Sequence, residues 1–146
     1  IGFNVSARQE DGGQKVTFQS MGLEFSDNDP IVMEIPGAIT DAQIADLNSD
    51  GFPEVLLFSR AGPDDKANIQ GVSVNGGKSM SALYFPPMEH TPEVLEGYSG
   101  HDSFALVENQ LVRKFPLASG KTKQVVYELI NGENSRVFQV RDITEY

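Results

Sequence analysis

The sequence predicts an all-β protein, an antiparallel β-sandwich of about eight strands with at most one short helical turn, and three observations predict it. Short apolar and β-branched runs recur along the chain, each closed by Gly, Pro, Asn or Asp. No stretch repeats its apolar residues at helical spacing over several turns. Turn residues separate neighbouring runs closely enough to fold them into hairpins. At 146 residues the chain has the size of one domain, residues 1–146, which can bury about two-thirds of the surface its unfolded form exposes.

Residues 14–25 (QKVTFQSMGLEF) mix β-branched and aromatic side chains with polar ones in partial alternation, as in a strand with one face on a core, and residues 26–30 (SDNDP) turn the chain. Residues 31–35 (IVMEI) are the next strand. Pro36 and Gly37 interrupt it, and the following AITDAQIADL carries Ile39, Ile44 and Leu47 too sparsely for a helix face, so it reads as extended chain entering a turn. Residues 54–59 (EVLLFS) form a continuous apolar run between turn signals, the pattern of a central strand buried on both faces. Strands at 69–74 and 79–85 then form a hairpin through Asn75, Gly76 and Gly77, which tolerate positive φ. Thr91 and Pro92 open one helical turn that Gly97 and Gly100 stop. Two hairpins complete the chain, residues 102–117 turning at Glu108, Asn109 and Gln110, and residues 123–140 turning at Asn131 and Gly132.

Eleven basic against twenty-one acidic residues leave a formal charge of -10, which argues against sequence-independent nucleic-acid binding, because that requires Lys and Arg to neutralise phosphates. The charge suits a cationic partner, and it equally serves solubility. Absence of Cys excludes disulfides, thiolate metal sites and cysteine nucleophiles while leaving the compartment open. No apolar run approaches the roughly 18 to 20 residues of a membrane span, and no charged-then-apolar leader opens the sequence given, so membrane insertion is not expected.

Residues 46–71 (DLNSDGFPEVLLFSRAGPDDKANIQG) concentrate the candidate chemistry. Asp46, Asn48, Asp50 and Glu54 follow the spacing D-x-N-x-D-G-x-x-E, which can wrap oxygen ligands around Ca²⁺ or can build a turn through Asp and Asn side chains bonded to backbone. As an EF-hand the loop is incomplete, with Leu57 at the twelfth position and no helical pattern on either side. Carboxylate pairs for hydrolysis, Asp50 with Glu54, Asp64 with Asp65 or Glu89 with Glu93, carry no signature fixing the roughly 5 to 10 Å opposition a glycosidase needs. Ser99, His101, Asp102 and Ser103 are neighbours in sequence, whereas a triad is assembled by geometry, and no G-x-S-x-G elbow occurs. Gly77, Lys78 and Ser79 resemble the end of a phosphate loop, but Val72 stands where its first glycine belongs. His90 and His101 lie far apart without thiolates, which argues against a histidine metal site, and Gly100 before His101 marks it as a turn residue. Tyr84, Phe85, Pro86 and Pro87 read either as an aromatic platform or as core and strand closure. The expectation is a protein that is not an enzyme and needs no cofactor.

ADLNSDGFPEVLLF, GKSMSALYFPP, GYSGHDSFALVENQLVRKFPL and VVYELINGE occur in that order between residues 45 and 133. Through the patterns GKS-x-S-x-x-Y-x-P-P, G-Y-x-G-H-D-x-F and LVR-x-F-P, the chain resembles the bacterial periplasmic inhibitors of invertebrate-type lysozyme. The resemblance implies an antiparallel β-sandwich, a periplasmic or secreted location, frequent homodimers, and inhibition by a loop inserted into the lysozyme active-site cleft. It also gives the acidic charge a use, steering toward a basic lysozyme. In the family an Ala-Gly pair precedes a Ser-Gly-x-x-Tyr element; here Ala61 and Gly62 precede Pro63, Asp64, Asp65, Lys66 and Ala67, so Pro63 replaces the Ser and Lys66 the Tyr. After Phe115 and Pro116 the family's longer loop is reduced to LASGK.

The contact loop that follows is residues 60–68, with Arg60, Gly62, Pro63, Asp64, Asp65, Lys66 and Asn68 as its contact residues. In one reading Lys66 offers its ammonium to the lysozyme carboxylates while Pro63 stiffens the loop. In the other the segment is a solvated hairpin on an exported binding or adhesion module that no longer inhibits lysozyme, with Ca²⁺ at Asp46, Asn48, Asp50 and Glu54 as its stabiliser. Two aspartates entering a carboxylate-bearing cleft favour the second.

Overall fold

A computed structural model describes residues 2–21, 30–75, 79–131 and 136–146. Eleven strands, one 3₁₀ turn (Met88–His90) and one short helix, α1 (Pro92–Leu95), build an all-β sandwich of three antiparallel sheets. β1 (Gly2–Glu10), β2 (Gly13–Met21) and β3 (Ile31–Pro36) pair in chain order. β4 (Ala38–Ala45), β5 (Glu54–Ala61), β6 (Lys66–Asn75) and β7 (Ser79–Ala82) do the same. The last sheet, of β8 (Ser103–Val107), β9 (Gln110–Pro116), β10 (Thr122–Asn131) and β11 (Arg136–Glu145), also follows chain order.

The second of these sheets lies between two cores, and β5 explains why. Every residue from 54 to 59 is buried, and successive side chains of a strand point to opposite faces. Leu56 and Phe58 therefore join Leu111, Phe115, Val125, Leu129 and Phe138 in one core, while Val55 and Leu57 meet Val16, Phe18 and Ile35 in the other. An unbroken apolar run is the sequence form of a strand with no solvent face, and EVLLFS has that environment. The extended reading of residues 38–47 also holds, as β4, and the single helical turn after Pro92 is α1.

β1 has only a weak signal in the sequence, because Phe3, Val5 and Ala7 alternate with polar residues over a short apolar pattern. Its register places those three opposite Ser20, Phe18 and Val16, on the side that faces the second core. The strand expected at 14–25 is β2, which is described to Met21. The turns expected at 26–29, 76–77 and 132 lie outside the described residues, although the hairpins they join, β6 with β7 and β10 with β11, pair as expected.

Two backbone features bring the sheets together. Tyr84 bridges to Val137, with Tyr84 N–H donating to Arg136 O at 3.0 Å and Phe138 N–H to Tyr84 O at 3.0 Å. Phe85 then enters the core against Phe104, Tyr127 and Phe138, so this stretch closes the sandwich while Tyr84 and Pro87 stay exposed. At the β3 to β4 corner, Gly37 adopts φ +79, and a Cβ there would lie 2.0 Å from Arg60 O. Only glycine lets the corner pass so close to the end of β5.

Candidate functional site

β5 and β6 pair up to Ala61 and Lys66, leaving residues 62–65 as the turn. Gly62 has φ +80 and Asp65 φ +50, and Asp65 N–H donates to Gly62 O at 3.2 Å. Pro63 supplies a fixed φ at the first central position, and Asp tolerates the left-handed conformation at the end of the turn. Gly62, Pro63, Asp64, Asp65 and Lys66 are exposed. Lys66 begins β6 rather than sitting in a loop. Arg60 and Asn68 are half-buried, and Asn68 turns its Oδ1 back to Ile69 N–H at 2.9 Å.

The tip is exposed but braced. His101 N–H donates to Asp64 O at 2.9 Å and to Asp65 O at 3.1 Å, while Gly100, at φ +88, lets the chain approach. A Cβ on Gly100 would lie 2.1 Å from Asp64 O. Arg60 donates from Nε to Asp65 Oδ1 at 2.7 Å and from Nη2 to Asp65 O at 3.1 Å and Asp102 O at 2.6 Å. Hydrogen bonding to Arg60 holds the Asp65 carboxyl below its usual range.

Asp102 is the centre of this bracing. It is 0% exposed; its Oδ1 accepts from Ala67 N–H at 2.8 Å and Tyr98 O–H at 2.9 Å, and its Oδ2 from Arg113 Nε at 2.8 Å. Arg113 reaches Tyr127 O–H from Nη1 at 3.4 Å and lies among the rings of Phe104, Tyr98 and Phe85, at 4.8, 5.4 and 5.7 Å from their centroids. Burial, then the hydrogen bond to Asp102, pushes the Tyr98 phenol up to about 12. One carboxylate thus ties β6, the segment before β8, and β9 into a unit that fixes the base of the hairpin.

Neither Ser103 nor His101 takes part in a triad: the Asp102 carboxylate faces Ala67, Tyr98 and Arg113, and His101 is an exposed turn residue at φ +56. The signal for this network is present in the sequence. In β9, Leu111, Arg113 and Phe115 share the inward face, and a cation at an inward position of a period-2 strand needs a buried anion to answer it.

Beside the hairpin runs a groove of about 460 Å³, with Lys66 on one wall, Met88, Glu89, Leu95 and Tyr98 on the other, and Arg113 among its lining. Buried Lys123 fixes the far wall, because its Nζ donates to the carbonyls of Glu93 and, at 2.9 Å, Glu96.

The Asp46 turn is built by its own side chains. Asp46 accepts from Asp50 N–H at 3.1 Å and Gly51 N–H at 2.9 Å, and Asp50 accepts from Phe52 N–H at 2.9 Å while pairing with Arg136 at 3.1 Å. Asn48 Nδ2 donates to Asp50 Oδ2 at 3.2 Å, leaving its buried Oδ1 without a donor. Glu54 is fully buried, accepting from Leu47 N–H at 2.7 Å and Ser73 O–H at 3.0 Å, and burial raises its pKa. Among the described residues, no group of three or more His, Asp or Glu side chains is placed to hold a metal ion, and no helix is long and apolar enough to cross a membrane.

Neither a known protein family, nor a curated protein, nor a solved structure matches the chain.

Proposed function

We propose that the chain is a periplasmic or secreted protein inhibitor of lysozyme, non-catalytic, that blocks the glycosidase cleft with the tip of the β5–β6 hairpin. The observation that carries this reading is an exposed tip held in one conformation by backbone bonds to His101 and by Arg60. A tip ordered before contact loses less conformational entropy on binding than a mobile one. Lys66 is the cation available to the carboxylates of the cleft, and the charge of -10 draws the protein toward a basic lysozyme. The expected test result is inhibition of at least one of the invertebrate, chicken and goose lysozyme types, weakened in Lys66→Ala. No inhibition of any type at micromolar protein overturns the reading.

One observation favours the second reading, an exported binding or adhesion module without lysozyme inhibition. Arg60 neutralises Asp65, but Asp64 has no ion-pair partner among the described residues, so the tip presents an uncompensated carboxylate that a carboxylate-bearing cleft repels. Asp64→Asn discriminates between the two: it strengthens lysozyme inhibition under the first reading and weakens binding to a cationic partner under the second. The homodimer is part of the first reading, and sedimentation of the purified chain tests it.

A further inference from the structure

Two cations with unmet bonding capacity line the groove beside the hairpin, in a chain where acidic residues outnumber basic ones twenty-one to eleven. Arg113 is 5% exposed. Of its five N–H donors, Nε serves Asp102 and Nη1 reaches Tyr127, and the Tyr98 hydroxyl is a further hydrogen-bond partner of the guanidinium, which leaves donors to spare. Lys66 makes no ion pair among the described residues, and its ammonium lies 5.9 Å from the centroid of Tyr98. Among the described residues, no Arg113 nitrogen is both sealed from solvent and without a partner, so its remaining donors open on the groove that it lines, where an answering group can enter.

The rest of the lining defines what carries that group. Met88 and Leu95 offer apolar surface, and Leu95 is 38% exposed. Glu89, also in the lining, is an acceptor that an amide N–H of the ligand can meet, and its charge disfavours a second anion. The volume of about 460 Å³ falls within the range of small-ligand sites. We propose that this groove is a receptor for a single carboxylate carried on an apolar residue, the carboxylate meeting Lys66 and the free edge of Arg113 while the apolar part packs on Met88 and Leu95. The carboxylate is either the end of a short free peptide or an acidic side chain offered by a protein partner. The site shares Lys66 with the cleft-blocking reading but adds Arg113, Met88 and Leu95, and it is tested without lysozyme.

Three blocked dipeptides test the site by ¹H–¹⁵N NMR titration of the full chain: acetyl-Ala-Leu with a free carboxyl end, acetyl-Leu-Glu-amide, and acetyl-Ala-Leu-amide. At least one of the two acids should shift the signals of Lys66, Leu95 and Tyr98 saturably, with the neutral amide at least tenfold weaker. Preference for the first acid identifies a peptide end, and preference for the second a side chain. Lys66→Met, which keeps the apolar stem, should weaken the preferred acid about tenfold through loss of a charge-assisted bond. Leu95→Glu, a surface change, should abolish binding. No saturable shift with either acid at about 10 mM, or equal binding of acid and amide, overturns the proposal.

Discussion

Replacing Asp102 with Asn keeps the shape of the side chain and removes its charge, which isolates the ionic part of the network. The amide oxygen can still accept from Ala67 and Tyr98, but the amide nitrogen then faces Arg113 Nε, donor against donor, across a distance that was 2.8 Å. Arg113 keeps only 6% of its side-chain surface exposed, and Asp102 keeps none, so water cannot replace the lost acceptor. Breaking one partner of a buried ion pair costs about 3–5 kcal/mol. A domain has only about 5–15 kcal/mol of stability in total, and each kilocalorie shifts Tm by roughly 2–4 °C at this chain length. Asp102→Asn should therefore melt roughly 6–20 °C lower and unfold at lower urea with an unchanged slope. Asp65→Asn removes an exposed, solvent-screened pair that contributes little to stability, and serves as the control. If Asp102→Asn and Asp65→Asn destabilise equally, the buried carboxylate is not the brace of the hairpin.

Gly100→Ala must seat a Cβ at φ +88 and 2.1 Å from Asp64 O; the cost should exceed about 1 kcal/mol in urea unfolding, and hydrogen exchange at the His101 amide should accelerate. Tyr98, pushed up to about 12, stays protonated in the fold when the unfolded chain has already ionised near pH 10, so the unfolded state binds fewer protons and stability falls as pH rises from about 10 to about 12. Absorbance titration should show a late tyrosine phase that Tyr98→Phe diminishes. The Asp65 carboxyl, held low by Arg60, acts in the opposite sense: its contribution is present above the unfolded pKa and is lost as pH falls through the lower folded value. Asp65→Asn should flatten the acid limb of the stability profile. The Asp46 turn should melt at the same temperature in Ca²⁺ and in EDTA, because both oxygens of Asp46 and of Glu54 already accept hydrogen bonds and Arg136 occupies Asp50; a rise of several degrees in Ca²⁺ would show instead that the ion displaces them.

Patterns that depend on neighbours in sequence were legible, and those that depend on distant partners were not. EVLLFS announces burial on both faces because an apolar run has no solvent side to show. Gly62, Pro63 and Asp65 announce a turn for local steric reasons. Burial of Asp102 was not readable from its surroundings, since YSGHDSF is polar and looks exposed. What buries it is Arg113, eleven residues later, and the rings of Phe85, Tyr98 and Phe104 that gather around that guanidinium. Likewise Lys123, an ordinary surface residue by type, is inside because the helix α1 ends above it with carbonyls that need a donor.

The placement of Asp102 sharpens what the hairpin can be. A solvated loop kept only for chain reversal needs no more than Gly62 and Pro63, and it would be free to drift. Here the two carbonyls at its end are bonded to His101, the cation at its base is bonded to Asp102 O, and its first inward N–H is bonded to the Asp102 carboxylate. Each bond belongs to residues 98–102, whose own conformation rests on positive φ at Gly97, Gly100 and His101. Backbone in the left-handed region costs free energy at His101, and a fold that retains such a segment beneath an exposed tip holds that tip in a set shape. Asp102→Asn separates shape from chemistry: the exposed residues Pro63, Asp64 and Lys66 are unchanged, so a variant that remains folded yet loses its partner would trace recognition to the set shape of the tip, whereas full binding by a loosened hairpin would trace it to side-chain chemistry alone.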